Sequence, residues 1–340
     1  MLGRRLSILT RVPRARDVSA LASLERPPLF HPVSDCWVCG ERRFTRFHEA
    51  RIDFHQYAEQ DADLHAYTGQ SVWLMRCAAC GFAQPETLPA LPRFFDRMYA
   101  QRWSHDWVAS EFDAEYKDLI FRTILRELDR RAPAGRRRLL DVGAHAGRFL
   151  HLAQQAGWAV EGIELNPRTA AYAAARTGAT VHHQNAQQLA AEGRRFSAIV
   201  LTDVLEHIPE PVQMLRTLAA LTAPGGCIAV KVPCGPSQLT KERVLAALTS
   251  HRISVADSLV HVNHFSPRSL ALALDRAGFQ AIAIRAGAPE VLPVSRGWRA
   301  RASNAVRLGV YAAARLPGAV YTPLALQLQA FATRPLETPR

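Results

Sequence analysis

Apolar positions fall into two alternating rhythms over the central half of the chain. Residues 139–142 (Leu-Leu-Asp-Val) form a short, mostly apolar run that reads as a buried strand, and after a glycine turn Phe149, Leu150, Leu152 and Ala153 share one helical face that ends at Gly157. Residues 158–163 give a second strand, closed by Glu164. Asn166-Pro167 opens a helix reaching about Thr177, since proline is accepted in a first turn, and Gly178 ends it. Residues 179–182 give a third short strand and 196–202 (Phe-Ser-Ala-Ile-Val-Leu-Thr) a fourth. A Pro224-Gly-Gly turn leads into a fifth at 227–233; Ser266 caps a helix over 269–279, and 280–285 gives a sixth strand. Residues 325–334 alternate well enough to be a final strand. Strands alternating with helices predict an α/β fold built on a mostly parallel sheet.

The flanks carry other patterns. Residues 93–133 predict helices, with Tyr116, Leu119, Ile120, Ile124 and Leu125 in an apolar stripe opposite charged positions. Residues 1–30 are rich in Arg and Pro and read as a basic, disordered tail. Residues 31–92 form a separate small unit, and 134–290 hold the α/β core. Within the core, 233–264 is a long insertion after the fifth strand; such insertions face the ligand crevice of a parallel sheet, so a substrate lid is expected there. In the closing segment, 291–340, residues 296–315 predict a basic amphipathic helix, packed on the protein or lying on a membrane surface.

The chain has 340 residues, 48% of them hydrophobic, enough for one large α/β domain with additions. No uncharged apolar run reaches the roughly 18–20 residues of a membrane span, and the N-terminal residues show no apolar signal core, so a cytoplasmic location is expected. The net charge is +12, nearly all of it arginine; the only lysines are Lys117, Lys231 and Lys241. Such a charge permits an acidic partner. No basic run alternates with aromatics, which disfavours nucleic acid.

Cysteine spacing is more informative. Cys36-Trp-Val-Cys39-Gly and Cys77-Ala-Ala-Cys80-Gly are two Cys-x-x-Cys pairs, each followed by glycine. Four thiolates in two tight knuckles suit structural zinc, with no coordination position left open for catalysis. A redox dithiol needs only one such pair, and disulfides fit poorly without a secretion signal.

The turn after the first strand carries the cofactor chemistry. Asp141 precedes Gly143-Ala-His145-Ala-Gly147, and Glu164 stands at the end of the next strand, where a carboxylate can accept both ribose hydroxyl protons. The glycine spacing is not that of a dinucleotide site, and Asp141 would repel a pyrophosphate but suits a cationic amino-acid ligand. The stretch resembles the first motif of class I S-adenosylmethionine-dependent methyltransferases, with His145 where a middle glycine usually stands. The resemblance covers roughly residues 100–290. It implies a Rossmann-like seven-stranded sheet with the last strand inserted antiparallel between the fifth and sixth. It also implies S-adenosylmethionine as cofactor, Asn185-Ala186 near the adenine amino group, and Tyr99, Trp103, His105 and Trp107 as cover for the acceptor pocket.

Asp203-x-x-Glu206-His207 ends the fourth strand. His207 has the pKa of a general base for a hydroxyl, and Glu206 can orient it. The same residues resemble the acid-x-x-Glu-His pattern of quinone-pathway and small-RNA methyltransferases, which implies a divalent cation at Asp203, Glu206 and His207, with His264 or His261 as a further ligand. The expected acceptor is a hydroxyl of a small molecule, sugar or surface-glycan precursor. Methylation of a sugar carbon is the nearest alternative, and RNA modification a more distant one.

Overall fold

The computed structural model describes residues 28–55, 61–100, 105–133, 135, 137–250, 257–293 and 297–336. The expectations for residues 1–27 and for Trp103 lie outside the described residues; within the expected tail, Phe30 already pairs with Pro89.

The N-terminal unit is made of short strands: β1 (Phe30–Pro32), β2 (Phe44–Arg51), β3 (Ser71–Cys77), β4 (Ala83–Pro85) and β5 (Thr87–Pro89). β2, β3 and β4 form an antiparallel three-stranded sheet, and β1 pairs with β5. A unit this small cannot bury a sufficient core alone, and it does not try to. Ile52, Phe54, Leu64 and Val72 pack in one cluster with Phe94 and Met98 of the next helix and with Leu259 and Val262 of the 233–264 insertion.

Three helices follow, α1 (Phe94–Ala100), α2 (His105–Asp113) and α3 (Asp118–Arg131). In α3, Ile120, Ile124 and Leu128 recur at helical spacing and are fully buried. The core then alternates as its periodicity predicts: β6 (Arg138–Val142), α4 (Arg148–Gln155), β7 (Ala159–Ile163), α5 (Pro167–Thr177), β8 (Thr180–His182), α6 (Ala186–Ala191), β9 (Phe196–Thr202), α7 (Pro211–Leu221), β10 (Thr222–Pro233), α8 (Gly235–Leu248), α9 (Pro267–Arg276), β11 (Gln280–Ala286), α10 (Trp298–Ala314) and β12 (Gln327–Thr333). The sheet has seven strands in the order β11-β12-β10-β9-β6-β7-β8. β12 runs antiparallel between β10 and β11, as expected of the last strand, and β10, β9, β6, β7 and β8 run parallel.

Alternation along β9 sends Ile199 and Leu201 to one face of the sheet and Ala198 and Val200 to the other. The first face packs on α6, α7 and α9, the second on α3 and α4. Each large apolar side chain removed from water this way contributes about 1.5–3 kcal/mol. Two expectations shift. Pro224-Gly-Gly lies inside β10 rather than ahead of it, where the register breaks between Thr222 and Cys227. The 233–264 insertion is dominated by α8, and the Arg243 guanidinium donates to the Phe47 carbonyl at 3.2 Å, so this helix reaches the cysteine-bearing unit.

Candidate functional site

Strand order reverses at β6, which lies between β9 and β7. The ends of these strands therefore splay apart and leave a crevice, the usual ligand position in an open α/β sheet. Five of the sequence-predicted residues converge there: Asp141, Gly143, His145, Gly147 and Glu164. Gly143 and Gly147 both hold positive φ, +79° and +84°. A Cβ on Gly143 would overlap Val204 Cγ2, because the turns after β6 and β9 press together. The Gly143 and Ala144 amides both donate to the Ile163 carbonyl, at 2.8 and 2.9 Å. Gly147 caps α4 without a side chain, so the crevice end of that helix is backbone only.

His145 is also left-handed, at φ +48°. Its backbone amide donates to Glu164 Oε2 at 3.0 Å, while Glu164 Oε1 accepts from the Asn166 amide at 2.9 Å. The His145 ring meets Trp107 of α2 edge-on, with centroids 4.8 Å apart. The expected cover over the turn is thus present in Trp107; the side chain of His105 lies outside the described residues. Histidine here costs backbone strain of about 1–2 kcal/mol, offset in part by the ring contact.

Asp141 is buried at the end of β6. Burial pushes its carboxyl up to about 8, and the Glu164 charge adds to the rise. Glu164 is raised too, by burial against the opposing pull of the amides that bind it. Two crowded, desolvated carboxyls make a place that gains from a cation.

Asn185 and Ala186 stand at the start of α6. Asn185 Oδ1 accepts from the Gln188 amide and Gln188 Oε1 accepts from the Asn185 amide, a reciprocal cap on α6. Ala186 is buried in the core beneath it.

Beyond β9, Asp203 stands at φ +57° and binds two lysines. Lys231 of β10, nearly fully buried, donates to Oδ1, and Lys117 approaches Oδ2 at 3.4 Å. Burial opposes ionisation of Asp203, but the charges of Lys231 and Lys117 outweigh it and hold the carboxyl down at about 2. Sequence reading missed both lysines as site residues, although two of only three lysines in an arginine-rich chain were signal enough.

Glu206 is buried, with neither carboxyl oxygen hydrogen-bonded, and burial together with the Asp203 charge pushes it up to about 8. His207 Nδ1 lies 2.6 Å from the Val260 carbonyl and 2.7 Å from the Tyr99 hydroxyl, which itself donates to Val260 at 2.8 Å. The carbonyl can only accept, so Nδ1 carries a proton and Nε2 is the basic nitrogen. His261 lies across His207, ring centroids 4.9 Å apart. Asn263 pins this arrangement: its side-chain nitrogen donates to the Leu205 and Ile208 carbonyls, both at 2.7 Å, and the Val262 and Asn263 backbone amides donate to the Glu206 carbonyl.

Donor atoms of Glu206, His207 and His261 lie within 4.8 Å of one another. Asp203 is not in that group, being bound to its lysines, and neither is His264. The backbone of His264 pairs with Ala83 of the cysteine-bearing unit, amide to carbonyl at 2.9 Å, and its ring is buried beside Gly235. His264 is therefore a joint between the two units rather than a member of the site.

In the N-terminal unit the four cysteine sulfurs converge within 4.8 Å, with Cys36 to Cys80 at 3.6 Å and Cys39 to Cys77 at 3.5 Å. These spacings are far beyond a disulfide bond and close to the edges of about 3.8 Å of a tetrahedron with zinc–sulfur bonds near 2.3 Å. The knuckles repeat each other: Gly40 donates to the Cys36 carbonyl and Gly81 to that of Cys77. The donor set fits a metal.

The profile of the methyltransferase-domain family matches residues 112–284, half of the chain. The chain belongs to this family. Among curated relatives it is similar to the ubiquinone biosynthesis O-methyltransferase of Caulobacter sp. (strain K31), 37% identical over 134 residues, 38% of this chain and 50% of that one. It is similar also to the enzyme of that name from Cereibacter sphaeroides (strain ATCC 17025 / ATH 2.4.3), 30% identical over 126 residues, 36% of this chain and 48% of the relative. The chain thus spans about half the length of the curated relatives it matches. Among solved structures, a methyltransferase from Archaeoglobus fulgidus is 16% identical with a TM-score of 0.45, over 68% of this chain and all of that one.

Proposed function

We propose that the protein is an S-adenosylmethionine-dependent O-methyltransferase acting on a hydroxyl of a small molecule. The observation that carries the reading is the pair of desolvated carboxyls, Asp141 and Glu164, at the reversal point of the sheet, where an open α/β sheet binds its ligand. The cofactor supplies a methyl group on a positively charged sulfur. Asp141 would answer the positive charge of its amino-acid end, and Glu164 would accept hydrogen bonds from its ribose. Gly143 lets the backbone approach, and His145 with Trp107 covers the turn.

On the acceptor side, His207 is the base. The Val260 carbonyl and the Tyr99 hydroxyl fix its ring, so that Nε2 can take a hydroxyl proton as the methyl group arrives. Asp203, held ionised between Lys231 and Lys117, anchors the segment that carries His207. A second reading follows from the proximity of Glu206, His207 and His261: a divalent cation held there would bring an acceptor hydroxyl into position and ease loss of its proton. The two separate on treatment with a weak chelator that leaves the cysteine-bound zinc in place, which abolishes transfer only in the second. The Cys36, Cys39, Cys77 and Cys80 thiolates would hold zinc as a structural clamp.

The test is calorimetric titration with S-adenosylmethionine, followed by transfer of a labelled methyl group to a panel of phenols, catechols and sugars. His207→Ala should keep cofactor binding and lose about 100-fold or more of the transfer rate. Failure to bind the cofactor would sink the proposal as a whole. Full transfer by His207→Ala would remove the assigned base.

A further inference from the structure

The segment after β11 has an unusual charge record. From residue 291 to 336 there are six arginines and no Asp or Glu. Its helix, α10, packs with Ala300, Asn304 and Ala314 inward, and Asn304 clasps both backbone groups of Leu292 at 2.8 Å. The opposite face is apolar where a solvated helix would be charged. Trp298, Ala302, Ala305, Gly309, Ala312 and Leu316 fall in one stripe at helical spacing, all exposed, with Trp298 74% and Leu316 64% accessible. Val306, 67% accessible, widens the stripe on one side. Arg299 and Arg301 flank it on either side, and Arg315 precedes its last residue, Leu316.

A groove of about 470 Å³ begins where this stripe ends. Arg126, Arg130, Arg285 and Arg315 line it, with Tyr311 and Phe331 as apolar walls. Its one carboxylate, Glu127, already accepts from Arg130, Arg131 and Arg285. The groove lies on the inward side of α10, meets the stripe at Leu316, and keeps an excess of positive charge there.

We propose that α10 and this groove dock the protein on an anionic lipid surface, the stripe entering the headgroup layer and the arginines meeting lipid phosphates. Charge selects this occupant. Each arginine near such a surface adds attraction, and an acid-free segment with an outward apolar stripe is the pattern of an interfacial helix. Among the described residues no helix is long and apolar enough to cross a membrane, so the contact is peripheral. The inference does not depend on the methyl-transfer reading.

Vesicle flotation tests it, with phosphatidylcholine alone and with phosphatidylcholine mixed equally with phosphatidylglycerol. The bound fraction should be about tenfold higher on the anionic vesicles and fall with added salt. Trp298→Glu with Val306→Glu should abolish binding, and Arg299→Gln with Arg301→Gln should weaken it, both with unchanged melting curves, since all four side chains sit on the outer face. Equal binding to both vesicle types overturns the proposal, and so does wild-type flotation by the Trp298→Glu/Val306→Glu protein. A dimer in sedimentation that this variant dissociates, with no vesicle binding, would show the stripe to be a contact between copies instead.

Discussion

Asp141 offers the sharpest prediction, because its burial sets a slope. In the ligand-free protein its carboxyl is pushed up to about 8 by burial and by Glu164. Below that pH it is mostly protonated. A cationic ligand needs it ionised, so each pH unit below about 8 costs binding about 1.4 kcal/mol, or tenfold in affinity. S-adenosylmethionine should therefore bind about 30- to 100-fold more tightly at pH 8 than at pH 6. The ligand's own α-amino group titrates near pH 8, so the quantity to follow is the ratio of wild-type affinity to that of Asp141→Asn. That ratio should rise through this window and flatten above it. Calorimetry in two buffers of different ionisation enthalpy should show about one proton released on binding near pH 6.5 by the wild type and less by the variant. The stability of the free protein carries the opposite sign. A folded pKa above the unfolded value gives a contribution that is complete below about 4 and lost as pH rises through about 8. A pH-independent ratio, with no proton release, would refute the reasoning.

Lys231→Met should strip Asp203 of its buried partner. The carboxyl now sits near 2 instead of 3.8, worth roughly 2 kcal/mol, so the variant should lose about 2–4 kcal/mol at neutral pH by denaturant unfolding. That loss should shrink as pH falls from about 4 through about 2, where the wild-type contribution disappears; a loss constant with pH would contradict the pairing. Metal analysis should find one zinc per chain, and Cys36→Ser should reduce it and lower the thermal midpoint of the whole protein, not of a separate transition. Gly143→Ala forces a Cβ onto Val204 in left-handed backbone and should cost about 2–4 kcal/mol of stability; a change within 0.5 kcal/mol of zero would refute the close approach.

The repeating unit of strand and helix was legible because period and glycine turns agree. Residues 139–142, 196–202 and 325–334 all became strands within a residue or two of their apolar runs. The cysteine spacing was equally readable. The acceptor side was harder. In His261-Val-Asn263-His264 the two histidines look alike in sequence, and what separates them is long-range: Asn263 ties the segment to the turn after β9 and swings His261 toward His207, while His264 is claimed by Ala83. Asn185 was legible in another way: an Asx residue before a helix caps it, and Asn185 caps α6.

The clustering of Ile52 and Phe54 with Met98, Leu259 and Val262 bears on how the chain can be taken apart. Composition suggests a seam near residue 92, but a cut there would expose apolar surface on both fragments. Neither half would then be a faithful piece of the whole. The same cluster lies one residue from Tyr99, through Met98, and one from Val260, through Leu259, the partners of His207. A metal held by the four cysteines would thus have a mechanical path to His207, and grafting the cysteine unit onto another methyltransferase would transplant a fastening without its anchor.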